Sequence, residues 1–153
     1  MNHLLDVNVL IALLDTLHRF HDTAWTWFND HRAEGWSTCP ITQNGVIRIL
    51  SNPQYANSGA GTEEIASLLA DFTTVSDHRF LPDDVSLLDT TLIERNALRR
   101  HHAVTDQYLL VLAIHHGSRL ATLDRRIRND GIKRGVNALT FIVPDQASSS
   151  ISQ

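Results

Sequence analysis

The 153-residue chain is 42% hydrophobic and 20% charged, with a formal net charge of −4, which argues against a generically basic nucleic-acid binder. No uninterrupted apolar run approaches the ~20 residues of a membrane span, and the N-terminus lacks a basic leader backed by an apolar stretch. The single cysteine, Cys39, rules out an internal disulfide and a thiolate zinc site. The expectation is one soluble, cytoplasmic domain over 1–144 with a polar, flexible tail over 145–153.

Residues 3–5 read as a short buried strand and residues 8–14 as the helix after it, with Asp6 at the junction. A lone carboxylate inside the run Leu4-Leu5-Asp6-Val7-Asn8-Val9-Leu10-Ile11 is costly to desolvate. It is either a site residue at the carboxyl end of a strand, where ligands of open α/β sheets collect, or a solvated helix cap. Asn8 offers a cap or a hydrogen bond to Asp6. Residues 21–32 follow as a helix whose Trp25, Trp27 and Phe28 read as packing. Gly35 ends it, and residues 36–39 form a second candidate strand closed by Pro40.

Residues 41–50 read as a helix capped by Thr42, with Gln43 in its first turn pointing beyond the strand ends. The Asn52-Pro53 and Ser58-Gly59-Ala60-Gly61 signals make a loop before the amphipathic helix that starts at Thr62-Glu63-Glu64. A third short strand is expected near 79–82, then a helix through Leu87, Leu88, Leu92 and Ile93 with Asp83-Asp84 as caps and dipole partners rather than metal ligands. The pairs His101-His102 and His115-His116 read as surface residues, since adjacent side chains diverge on a helix.

Thr105 to Ile114 reads as a helix that is apolar all round from Tyr108 to Ile114, capped by Thr105 and stopped by Gly117, with Asp106 in its first turn. Residues 119–124 form a buried strand with Asp124 at its carboxyl end, repeating the Asp6 arrangement, and 139–143 form a last strand before Pro144. Residues 95–134 hold nine Arg and Lys against three Asp, a local +6 that leaves −10 for the remainder. Such an arginine-rich stretch suits phosphate recognition, although solvated helix faces would read the same way.

Asp6, Asp106 and Asp124 each lie where an apolar strand or buried helix meets a loop. Clustered carboxylates repel unless they share a cation, and all-oxygen ligation selects Mg²⁺ or Mn²⁺ over Zn²⁺. A site of this kind suits attack on a phosphodiester, with rim arginines on the nucleic-acid backbone.

Together, Leu4-Leu5-Asp6-Val7-Asn8, Thr105-Asp106-Gln107-Tyr108-Leu109 and Thr122-Leu123-Asp124-Arg125 resemble the PIN-domain family, in particular the VapC-like toxins of bacterial toxin–antitoxin pairs, over residues 3 to about 143. The resemblance implies a three-layer α/β/α sandwich on a mostly parallel sheet. It also implies a Mg²⁺- or Mn²⁺-dependent endoribonuclease acting on tRNA or rRNA, a homodimer, and inhibition by a cognate antitoxin whose tail enters the groove. Asp6 and Asp106 then match the principal metal ligands, and Asp124 the last acidic residue of the site. Gln43 stands where the family commonly carries Glu; it is neutral and cannot act as a base, but its carbonyl can orient a water. That departure keeps open a protein that binds RNA or an antitoxin without cleaving. A small-molecule phosphohydrolase is disfavoured because Asn8 replaces the second Asp of an Asp-x-Asp pair.

Overall fold

The computed structural model describes residues 1–57 and 59–144, so the tail expected from 145 onward lies outside the described residues. Strand β1 (His3–Leu5) leads into α1 (Val7–Leu14) and α2 (His21–His31), and a 3₁₀ turn brings the chain to β2 (Trp36–Thr38). Helices α3 (Pro40–Leu50) and α4 (Thr62–Phe72) precede β3 (His78–Phe80). A long irregular run then leads to α5 (Val104–His115), β4 (Arg119–Thr122) and β5 (Leu139–Phe141).

The five strands form one sheet in the order β3-β2-β1-β4-β5, and every pairing is parallel. Chain order reverses direction across the sheet between β1 and β4, so the switch point lies beside the first strand. Helices cover both faces, giving the three-layer α/β/α sandwich expected from the sequence. Alternation along the strands divides the core. Leu5, Trp36 and Ala121 join α1 to α4 on one face, while Leu4 and Leu120 join α5 on the other. Both faces of the central strands are buried, which explains their continuous apolar reading.

Two helices begin differently from expectation. Thr42 sits in the third position of α3, its hydroxyl accepting from the Cys39 backbone N–H, while Cys39 occupies the cap and Pro40 the first turn. Thr105 likewise lies inside α5, which follows a 3₁₀ turn at His101–Ala103. Gly117, at a φ of +66°, stops α5 as expected. In α3, a Cβ on Gly45 would lie 2.8 Å from Val7 Cγ2, so the missing side chain lets α3 close on the start of α1.

The helix expected through Leu87 to Ile93 is absent from that described segment. Ser86 Oγ accepts from the Leu88 N–H, and Asp89 Oδ1 from the Thr91 N–H and hydroxyl, so local side-chain bonds replace helical ones. Leu88 is 77% exposed, whereas Ile93 is fully buried. Ile93 is held instead by an antiparallel bridge to Ile132, flanked by Glu94 N to Gly131 O at 2.8 Å and Lys133 N to Leu92 O at 2.9 Å.

Candidate active site

Asp6 follows the central strand and caps α1 with extended backbone, its Oδ1 accepting from the Val7 N–H at 2.7 Å. The carboxylate is thus a helix cap and, at 5% exposure, a buried group at the strand end. Its Oδ2 accepts from the Thr122 hydroxyl at 2.8 Å and from Asn8 Nδ2 at 3.3 Å. Asn8 therefore holds Asp6 rather than capping the helix. Thr122 Oγ1 in turn accepts from Asn8 Nδ2 and from the Asp124 N–H, and Asn8 Oδ1 accepts from the Leu123 N–H. The hydroxyl so uses its one donor and two acceptor sites to lock the end of β4 to the end of β1. Burial raises the Asp6 pKa, against the hydrogen bonds from Thr122, Val7 and Asn8, and the Asp124 charge adds to the rise.

Asp106 projects from the first turn of α5 and is half-buried. Its carboxylate takes no side-chain hydrogen bond from any described residue. Burial pushes its pKa up to about 6, helped by the negative charges of Asp6 and Asp124 and opposed by Arg126. Asp124 lies two residues past β4, where Arg126 grips it with Nε on Oδ1 and a terminal nitrogen on Oδ2, both at 2.9 Å. That fork, with the Arg126 N–H, holds the Asp124 carboxyl below its ordinary range. The Arg126 side chain is 90% exposed, so the pair itself contributes little stability.

The structure brings the three aspartates within reach of one another's charge. Asp106 and Asp124 line a cleft of about 1140 Å³ whose walls are residues 94–107 and 124–131. Arg99, Arg100, Arg125, Arg126 and Arg128 line it as well, so five arginines of the basic segment lie around Asp106 and Asp124 in space. Gln43 is placed otherwise. Its Nε2 donates to Thr38 Oγ1 at 2.9 Å, which meets His78 Nε2 at 2.9 Å, and among the described residues no hydrogen bond joins it to the aspartates. Thr122 is not evident as a site residue from the sequence, where its one signal is its place two residues before Asp124. The run Arg125-Arg126-Ile127-Arg128 does place guanidinium groups beside the Asp124 carboxylate, and Arg126 is the one that grips it.

A parallel sheet flanked by helices, with carboxylates gathered outside the strands beside its switch point, defines an α/β domain whose acidic groups meet at one sheet edge. A family model, the PIN domain, matches residues 3–131, and the chain belongs to that family. Among curated relatives, Ribonuclease VapC44 of Mycobacterium tuberculosis is 43% identical over 127 residues, covering 83% of this chain and 89% of the relative. Ribonuclease VapC39 of the same organism is 41% identical over 124 residues, 81% and 89% of the two chains. A crystal structure, FitAcB from Neisseria gonorrhoeae, matches 91% of this chain and 96% of that one at 20% identity and a TM-score of 0.48.

Proposed function

We propose that this chain is a divalent-metal-dependent endoribonuclease, a VapC-like toxin held in check by a cognate antitoxin. The convergence of Asp6, Asp106 and Asp124 at one edge of the sheet carries the reading, and relatives named as VapC ribonucleases support it. Carboxylate oxygens fit a hard ion, Mg²⁺ or Mn²⁺, better than Zn²⁺, and the upward shift at Asp106 marks a place where positive charge is favoured. The three aspartates would hold it. When bound, such an ion neutralises charge developing on a phosphoryl group and makes water nucleophilic near neutral pH.

The chain's own residues supply the rest. Asp6 is fixed by the Val7, Asn8 and Thr122 bonds and so keeps its position without substrate. Arg99 and Arg100 on one wall and Arg125 and Arg128 on the other present guanidinium forks to a phosphate backbone passing through the cleft. A single-stranded region of tRNA or rRNA is the expected substrate, the cytoplasm the expected compartment and a homodimer the expected assembly. The antitoxin is expected to close the same cleft.

Asp106→Asn is the decisive variant. It should abolish Mn²⁺-dependent cleavage of RNA while circular dichroism reports an unchanged fold; retained cleavage would remove Asp106 from the site. The position of Gln43 favours a second reading, a protein that binds RNA or antitoxin without cutting, because its amide is directed at Thr38. Tight RNA binding with no cleavage at saturating Mn²⁺ would establish that reading instead.

A further inference from the structure

At the far end of α5 from Asp106, three side chains from two parts of the chain meet. One donor atom each from Asp84, His115 and His116 lies within 4.8 Å of the other two. His116 Nε2 is 2.8 Å from Asp84 Oδ1, and His115 Nε2 is 3.8 Å from Asp84 Oδ2. Neighbouring residues on a helix ordinarily point about 100° apart. Here His115 is the last residue of α5 and His116 is its cap, at φ −92° and ψ 13°, so the departure from helical geometry lets the two rings turn toward one carboxylate. Their planes stand 89° apart with centroids at 5.0 Å, an edge-to-face pair, and each Nε2 lies within 4 Å of an Asp84 carboxylate oxygen.

We propose that Asp84, His115 and His116 form a Zn²⁺ site separate from the three aspartates. Two imidazole nitrogens and one carboxylate are a donor set for a borderline first-row ion and a poor one for Mg²⁺. The set lies at the carboxyl terminus of α5, where the helix dipole favours a cation. With side-chain exposures of 42% for Asp84, 45% for His115 and 14% for His116, solvent reaches the cluster, so water would be available to a bound ion beside the three protein ligands. Ten residues of α5 separate His116 from Asp106, about 15 Å at a rise of about 1.5 Å per residue, so the two sites do not share an ion.

The consequence is a staple. Asp84 belongs to the irregular run between β3 and α5, whose later residues Glu94, Arg99 and Arg100 line the cleft. Zn²⁺ held jointly by Asp84 and α5 fixes the start of that run to the helix, and binding to the folded chain alone raises its stability. The half-exposed Asp84–His116 pair without an ion contributes little.

The test is calorimetric titration of Zn²⁺ into the full chain carrying Asp106→Asn, with excess Mg²⁺ present, paired with thermal melts. One equivalent should bind and raise the melting temperature. His115→Ala, Asp84→Asn and His116→Ala should each weaken binding by at least about tenfold, as loss of a ligand does. His115 Nε2 lies 3.8 Å from Asp84 Oδ2, beyond hydrogen-bond reach, so its variant separates lost ligation from lost folding. In the chain with intact aspartates, His115→Ala should leave Mn²⁺-dependent RNA cleavage unchanged. No Zn²⁺ binding in the parent, or binding retained by a His115→Ala/His116→Ala double variant and lost instead with His101 and His102, overturns the proposal. Because the readout is Zn²⁺ binding in a chain already lacking Asp106, failure of the nuclease reading leaves this test intact.

Discussion

Asp6 and Asp106 carry the same functional group, yet removing the charge from each has a different cost. Asp6 accepts from Val7, Thr122 and Asn8, and an Asn at that position would set an amide N–H₂ against one of those donors. Asp6→Asn should therefore lower stability by about 1–2 kcal/mol in urea melts. Asp106→Asn, with no such bonds to lose and a repulsion relieved, should melt at the parent temperature or above in the absence of added metal. The sequence leaves Asp6 open between a cap and a site residue because both roles need the same position, the residue joining a buried strand to a helix. His3 supplies a pH signature. It is 4% exposed, its Nδ1 has no partner among the described residues, and burial pushes its pKa down from 6.5 to about 4. The unfolded chain binds the proton more tightly, so this stability is complete above pH 6.5 and is lost as pH falls from 6.5 toward 4, by roughly 3–4 kcal/mol at most. His3→Gln should flatten that part of the stability profile when the two proteins are compared by urea unfolding across the range.

Five helices and five strands are legible from periodicity and punctuation, because each buries a regular face and ends at Gly, Pro or a polar junction. The sixth expected helix fails for a reason the hydrophobic pattern does not contain. Leu87, Leu88, Leu92 and Ile93 have helix-compatible spacing, but Ser86 and Asp89 capture the intervening backbone N–H groups. Cap placement fails similarly at Thr42, whose hydroxyl reaches back to the cap residue instead of occupying its place. Gly45 shows an element-scale constraint invisible from the helix alone. Ala normally improves a helix interior by about 1 kcal/mol over Gly, but here the added methyl meets Val7 Cγ2, whose β-branched side chain has little freedom to yield. Gly45→Ala should be net destabilising by about 1–2 kcal/mol, and Val7→Ala on that background should restore part of the loss in thermal melts.

Across the whole molecule, charge asymmetry in the sequence becomes asymmetry in space. Residues 95–134 are strongly basic in sequence, but their gathering around one cleft depends on contacts far apart in the chain, which local signals do not announce. The three aspartates are legible as a set because parallel topology gathers strand ends at one edge. Guanidinium groups beside Asp124 are legible from the run after it, but which arginine grips the carboxylate, and the direction of the Gln43 amide, depend on side-chain geometry that spacing does not fix. If RNA follows the basic cleft, Arg99→Gln with Arg100→Gln should weaken RNA binding and flatten its dependence on salt. On a single strand the logarithmic slope should fall by about 0.7 for each phosphate that an arginine no longer neutralises. Filter binding over a salt series measures this, and an unchanged slope would take the RNA path away from that wall.

The bridge between Ile93 and Ile132 gives this arrangement a mechanical character. Its flanking bonds, Glu94 N to Gly131 O and Lys133 N to Leu92 O, join the two walls of the cleft where the lining residues Glu94 and Gly131 meet. Parting the two walls at that point requires breaking two backbone hydrogen bonds together. Accommodation of ligands of different girth falls to the long arginine side chains along the rim, which can swing aside while the backbone beneath them stays still.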